Sequence, residues 1–185
     1  MSRSYTLDLP DADATRAFGT ALSAVLRAGD LVVLTGDLGA GKTTLTQGIG
    51  AGLGVRGQVA SPTFIIAREH PPLTPGPGLV HVDAYRLGSL DEVDALDLDS
   101  SLEDVVTVVE WGEGLVEQLA DDRLEVRLER PHGGFTATSD LGDDEEPGTE
   151  DGAGAEVGVR HATVTAVGER WDDVALPGEP PDPAS

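Results

Sequence analysis

A phosphate-binding loop constrains a fold strongly, because it needs a strand to deliver it and a helix to receive it. The stretch Leu31 to Thr44, LVVLTGDLGAGKTT, meets both demands. Leu31 to Leu34 are apolar or β-branched and run straight into Gly36. From there Gly36, Asp37, Leu38, Gly39, Ala40, Gly41, Lys42 and Thr43 fit the pattern of a glycine, four residues, then Gly-Lys-Thr, with Thr44 following. Glycines let successive N–H groups turn toward phosphate oxygens. A helix opening near Thr43 adds its positive end and unpaired donors. In this pattern Lys42 reaches the β- and γ-phosphates, and the Thr43 hydroxyl is a natural ligand for Mg²⁺. Lys42 is also the only lysine, against eleven arginines. A chain that otherwise uses arginine keeps its lysine where a compact ammonium suits phosphate. The competing reading, a Gly-rich turn before a helix, explains none of this.

The chain has 185 residues, which suits one domain with a sizeable core. It lacks cysteine, so disulfides and thiolate metal sites are excluded. The first residues, MSRSYTLDLPDAD, hold no apolar leader core, and no run approaches a membrane span. The expectation is a cytoplasmic, soluble protein. The formal charge is −22, and Ser139 to Glu156 holds eight acidic residues and no basic ones. Without that stretch and residues 168–185 the charge is still about −10. A protein that neutralises nucleic-acid phosphates by itself should be basic. Tight direct binding of RNA or DNA by this chain alone is therefore not expected.

Along the chain, Tyr5 to Leu9 alternates as a strand, and Asp11 or Asp13 can cap a helix carrying Ala14, Phe18, Leu22 and Val25 on one stripe. The helix from Thr43 ends near Gly52 and Gly54. Ser61-Pro62-Thr63 opens a strand, TFIIARE, and PPLTPGPG over 71–78 reads as a loop. Leu79 to Asp83 and Val105 to Glu110 are strands that both end in a carboxylate. Short helices are expected over 90–96 and 113–119. Arg123 to Arg130 alternates as a half-buried strand and pairs most simply with Gly158 to Gly168. The acidic stretch 131–157 would then be a disordered insertion within that hairpin. Residues 169–185, with four prolines, read as a flexible tail, with Trp171 as its one docking candidate. The expected architecture is α/β: one phosphate-loop domain over 1–168, with a mainly parallel sheet and an antiparallel strand pair at its C-terminal end.

In open α/β sheets functional groups gather at the carboxyl ends of strands. Thr43 with Glu110 and Asp83 supplies a hydroxyl and two carboxylates, the set an Mg²⁺ on β- and γ-phosphates requires. One acid would hold the ion or its waters and the other orient an attacking water; the sequence leaves the assignment open. Ser61-Pro62-Thr63 lies where many nucleotide hydrolases sense the γ-phosphate. Tyr85, Arg86 and Trp111 are contact or packing residues, His81 is a strand residue, and the histidines show no metal-ligand spacing. The Asn-Lys-x-Asp signature that reads guanine needs a second lysine, so adenine is favoured.

Gly36 to Thr44, Ser61-Pro-Thr-Phe64, His81-Val-Asp-Ala-Tyr-Arg86 and Glu110-Trp111 together resemble, in order and spacing, the TsaE (YjeE) family over about Leu9 to Arg130 and the strand around Arg160. The resemblance implies a small ATPase of tRNA threonylcarbamoyladenosine modification, with ATP and Mg²⁺ as cofactors. It also implies that hydrolysis drives turnover of a complex with TsaB- and TsaD-type proteins. In that pattern Lys42 and Thr43 bind phosphate and Mg²⁺, Asp83 is the Walker B-like acid and Glu110 a metal-site acid. Thr63 falls in the switch-like segment. By the same resemblance the nucleotide is contacted near Ala12 and by Arg160. Two further readings stand beside it: a small-molecule kinase on the same loop, and a non-catalytic adaptor gated by ATP.

Overall fold

A computed structural model describes residues 2–60, 67–86, 103–112, 114, 120–130 and 157–181. Seven strands form one sheet: β1 (Ser2–Asp11), β2 (Leu31–Thr35), β3 (Ala67–His70), β4 (Gly78–Asp83), β5 (Val105–Glu110), β6 (Arg123–Glu129) and β7 (Val157–Val167). Their spatial order is β1-β7-β6-β2-β5-β4-β3. The central strands β6, β2, β5 and β4 are parallel, whereas β7 and β1 on one side and β3 on the other complete it with antiparallel pairings. The expected β6–β7 pairing is present, with Glu129 opposite His161. The sequence reading did not anticipate that β1 lies against β7, with Ser2 opposite Val167.

Burial follows the patterning. Leu31 to Leu34 of β2 are all buried, as a strand covered on both faces requires. In β6 only Leu124, Val126 and Leu128 are buried, so its charged residues point away from the core. The larger core cluster joins these residues to Phe18 and Leu22 of α1 (Ala12–Ser23) and to Leu45 and Ile49 of α2 (Lys42–Leu53). The two helices cross in close contact: a Cβ built on Gly19 would lie 2.4 Å from the Leu45 carbonyl oxygen, and one on Gly48 2.2 Å from that of Arg16. That crossing fixes α2, and with it the phosphate loop, against the sheet. No helix among the described residues is long and apolar enough to cross a membrane.

The tail requires a correction. Residues 169–181 do not behave as a flexible linker but pack onto the domain. A 3₁₀ turn, Glu169–Trp171, buries the Trp171 ring, and Leu176 is buried further on. Arg170 forks onto both oxygens of buried Asp30 at 3.1 and 3.0 Å and donates to the Val25 carbonyl at 2.8 Å. Arg3 of β1 donates to the carbonyls of Trp171 and Val174 and pairs with Glu179 at 2.7 Å. The Tyr5 hydroxyl donates to the Pro177 carbonyl at 2.7 Å. Proline and acid mark a linker only when no core residue holds them, and here two arginines and two apolar side chains do. Residues 61–66, most of 113–119, 87–102 and 131–156 lie outside the described residues, so Thr63, both short helices and the acidic insertion are not placed.

Candidate phosphate and cation site

The loop between β2 and α2 uses its glycines where a side chain has no room. Gly36 has φ +135°, and a Cβ there would lie 2.1 Å from the Leu128 carbonyl oxygen. Gly41 has φ +110°, and its Cβ would lie 3.0 Å from Arg160 Nε. Gly41 is the N-cap of α2 and supplies no side-chain cap bond, so the first helical N–H groups face the loop. Leu38 stands at the tip, almost wholly exposed, while Ala40 is buried at its base.

Lys42 folds back into the loop. Its Nζ donates to the carbonyls of Gly36 at 2.7 Å and Asp37 at 3.0 Å, and lies 3.7 Å from the centre of the Trp111 ring. Burial pushes its pKa below the ordinary lysine value, opposed in turn by Glu110, Asp83 and Asp37. Trp111 takes φ +62°, rare for an aromatic residue, and its N–H bonds the Leu34 carbonyl at 3.0 Å. Its ring meets Tyr85 edge-on with centroids 5.2 Å apart. Strand-end geometry thus lays an indole over the loop lysine.

The parallel register sets Asp83 beside Glu110 and Leu34 on its other side. Thr43 Oγ1 donates to Glu110, 3.0 Å from Oε1 and 3.3 Å from Oε2. Glu110 is buried, and its Oε1 also lies 2.7 Å from Nε2 of the fully buried His81. Asp83 is half-buried, and its Oδ1 accepts the Tyr85 N–H at 3.1 Å. A hydroxyl and a carboxylate in contact are hard oxygen donors, and they fit an Mg²⁺ that takes its remaining ligands from phosphate and water. Among the described residues no three His, Asp or Glu side chains form a metal cage of their own.

The two ends of the chain converge on the loop's flank. Asp11 caps α1 through the Ala14 N–H at 2.7 Å, and Ala12 is buried in its first turn. Thr15 and Arg160 both lie against Gly41, and Arg160 sits opposite Leu9 across β1 and β7. Arg160 is almost fully buried, with Nη1 donating to the Gly158 carbonyl at 3.1 Å. Every described candidate therefore gathers at one end of the sheet: Ala12, the loop from Gly36 through Thr44, Asp83, Glu110 and Arg160. Sequence reading did not assign a site role to His81, and it left Trp111 open between a contact and a packing residue. The available signals for His81 were its place at the head of the His81-to-Arg86 motif and on the same strand face as Asp83, two residues later.

A family model described as "Threonylcarbamoyl adenosine biosynthesis protein TsaE" matches residues 9–135. The "tRNA threonylcarbamoyladenosine biosynthesis protein TsaE" of Streptomyces coelicolor is 58% identical over 157 residues, 84% of this chain and 93% of that protein. Its counterpart of the same name in Bacillus subtilis is 37% identical over 160 residues, 85% and 83% of the two chains. The crystal structure of Bacillus subtilis YdiB superposes with a TM-score of 0.61 at 31% identity, covering 92% of this chain and 90% of that one.

Proposed function

This chain belongs to the TsaE family, and from that premise we propose that it serves tRNA threonylcarbamoyladenosine biosynthesis as a Mg²⁺-dependent ATPase. The observation that carries the reading is the Thr43–Glu110 contact at the mouth of a glycine loop that encloses its own lysine. Lys42 Nζ exchanges the Gly36 and Asp37 carbonyls for phosphate oxygens, and the N–H groups opening α2 bind the same anion. Thr43 and Glu110 would hold Mg²⁺, whose positive charge would offset the negative charge that develops on the phosphate oxygens. Asp83 lies beside Glu110 in register, and in this reading it orients water. Arg160 and the first turn of α1 border the loop where the rest of the nucleotide would lie. The missing guanine-reading signature favours ATP over GTP.

An acidic chain with this site suits a subunit that leaves tRNA to others, so TsaB- and TsaD-type proteins are the proposed partners, with hydrolysis slow in their absence. Calorimetry with Mg²⁺ and ATP or GTP tests the first step: ATP binds, GTP binds more weakly, and Lys42→Ala and Thr43→Ala each lose binding. Retention of full ATP affinity by both variants would sink the proposal. Hydrolysis assays with the two partner proteins test the second, where Glu110→Ala should abolish the stimulated rate.

A further inference from the structure

We propose that His81 is a positioning residue for Glu110: its Nε2–H aims the carboxylate at Thr43 and so sets the affinity of the site for a divalent cation. The proposal rests on the Mg²⁺-ATP reading above and extends it to a residue that would not touch the ion itself. Glu110 Oε1 takes two hydrogen bonds, from Thr43 at 3.0 Å and from His81 at 2.7 Å. The Thr43 hydroxyl would be engaged by a bound cation, so only the histidine contact is left to hold the carboxylate's orientation. His81 suits that task because its backbone is hydrogen-bonded into the sheet on both sides. It lies inside β4, wholly buried, between strands β3 and β5, with Arg68 and Val108 as its register partners.

Its tautomer follows from its partners. Nδ1 is buried and has no hydrogen-bond partner among the described residues. With the hydrogen on Nε2, that vacancy is an unpaired acceptor and the carboxylate receives a donor. The other tautomer would bury an orphaned N–H and turn a lone pair toward Glu110, which costs more on both counts. A histidine held in one tautomer against a ligating carboxylate is the arrangement by which an outer residue tunes a metal site. A side chain serving the core alone would satisfy the same burial with no consequence for cation affinity, and this difference is measurable.

Two amide variants of equal polarity separate the cases. His81→Gln sets an amide nitrogen close to where Nε2 stands, whereas His81→Asn stops short of Glu110. A fluorescent ATP analogue is bound in EDTA, and Mg²⁺ is then titrated in. The Mg²⁺ midpoint should rise about tenfold in His81→Asn and stay within about threefold of wild type in His81→Gln, from the usual weight of such contacts. Nucleotide affinity in EDTA should be the same in all three proteins. Equal midpoints in all three would overturn the proposal, as would a loss of affinity in EDTA that matches the loss with Mg²⁺. A wild-type protein that binds no nucleotide overturns the ATPase reading itself and this inference with it.

Discussion

Replacing Gly48 with alanine sets two effects of opposite sign against each other. Alanine in a helix interior is favoured over glycine by about 1 kcal/mol, so in an open helix Gly48→Ala would stabilise. Here the new methyl would lie 2.2 Å from the Arg16 carbonyl oxygen, 2.9 Å from its carbon and 3.0 Å from its Cα, all backbone. No rotamer change relieves that contact. To reach an ordinary separation of 3.4 Å, α1 and α2 must part by roughly 1 Å, which loosens the packing of Phe18, Leu22, Leu45 and Ile49. Overpacking of this kind costs about 1–3 kcal/mol or more, and backbone against backbone belongs at the upper end. The net expectation is a loss of about 2 kcal/mol, or a Tm lower by about 4–8 °C for a domain of this size. Gly52→Ala provides the internal contrast. Its Cβ meets the Ser23 hydroxyl at 1.9 Å, which can rotate away, but also the Ser23 Cβ at 2.8 Å and the Thr20 carbonyl oxygen at 3.0 Å. These are milder than the 2.2 Å backbone contact at Gly48, so its cost should be smaller than that of Gly48→Ala. Urea and thermal unfolding of both variants test the argument. A Gly48→Ala protein as stable as wild type, or more so, would refute the close crossing.

Two further tests address the docked C-terminal segment. Arg170→Met leaves Asp30 buried without its guanidinium, though the Arg27 N–H still reaches it at 2.8 Å. The loss should be about 3 kcal/mol, at the low end for a broken buried pair, and an unchanged urea midpoint would show that the segment does not hold the domain. Tyr5 has its pKa raised above the ordinary 10.0 by burial first and by Glu179 second. The folded state thus keeps the phenol proton that the unfolded chain releases. The resulting stability is intact below pH 10 and lost as pH rises beyond it. In a Tyr85→Phe protein, which leaves Tyr5 as the only tyrosine, the ultraviolet phenolate band should appear only with the loss of far-ultraviolet dichroism. Its appearance at pH 10 in a still-folded protein would contradict the buried environment.

The legible parts were those whose signal is local. Leu31 to Thr44 announces strand, turn and helix within fourteen residues, and the alternation of Arg123 to Arg130 shows which of its residues face the core. Asp83 and Glu110 were legible as strand-end acids because an apolar run precedes each. What escaped depends on contacts between distant residues. Arg170 and Asp30 are 140 residues apart, and Arg3 and Glu179 are 176 apart. Composition around Glu179 resembles a linker until Arg3 is seen beside it. The part played by His81 was hidden for a related reason: one histidine in an apolar strand has no period, and its partner lies on the neighbouring strand. The left-handed backbone at Trp111 has no sequence marker either, since aromatic residues seldom adopt it.

The pairing of β1 with β7 bears on how the protein is made. β1 is made well before β7 and finds its place only against it, so Ser2 waits for Val167. Closing a loop of that length is slow, and until then β1 presents an unpaired strand edge. Translation halted before residue 157 would yield the whole phosphate loop with neither Arg160 nor a seat for the strand that carries α1 to it. The proposed nucleotide site is therefore complete only once β7 has been made, and fragments that stop short of it stay incomplete at the point where phosphates would be held.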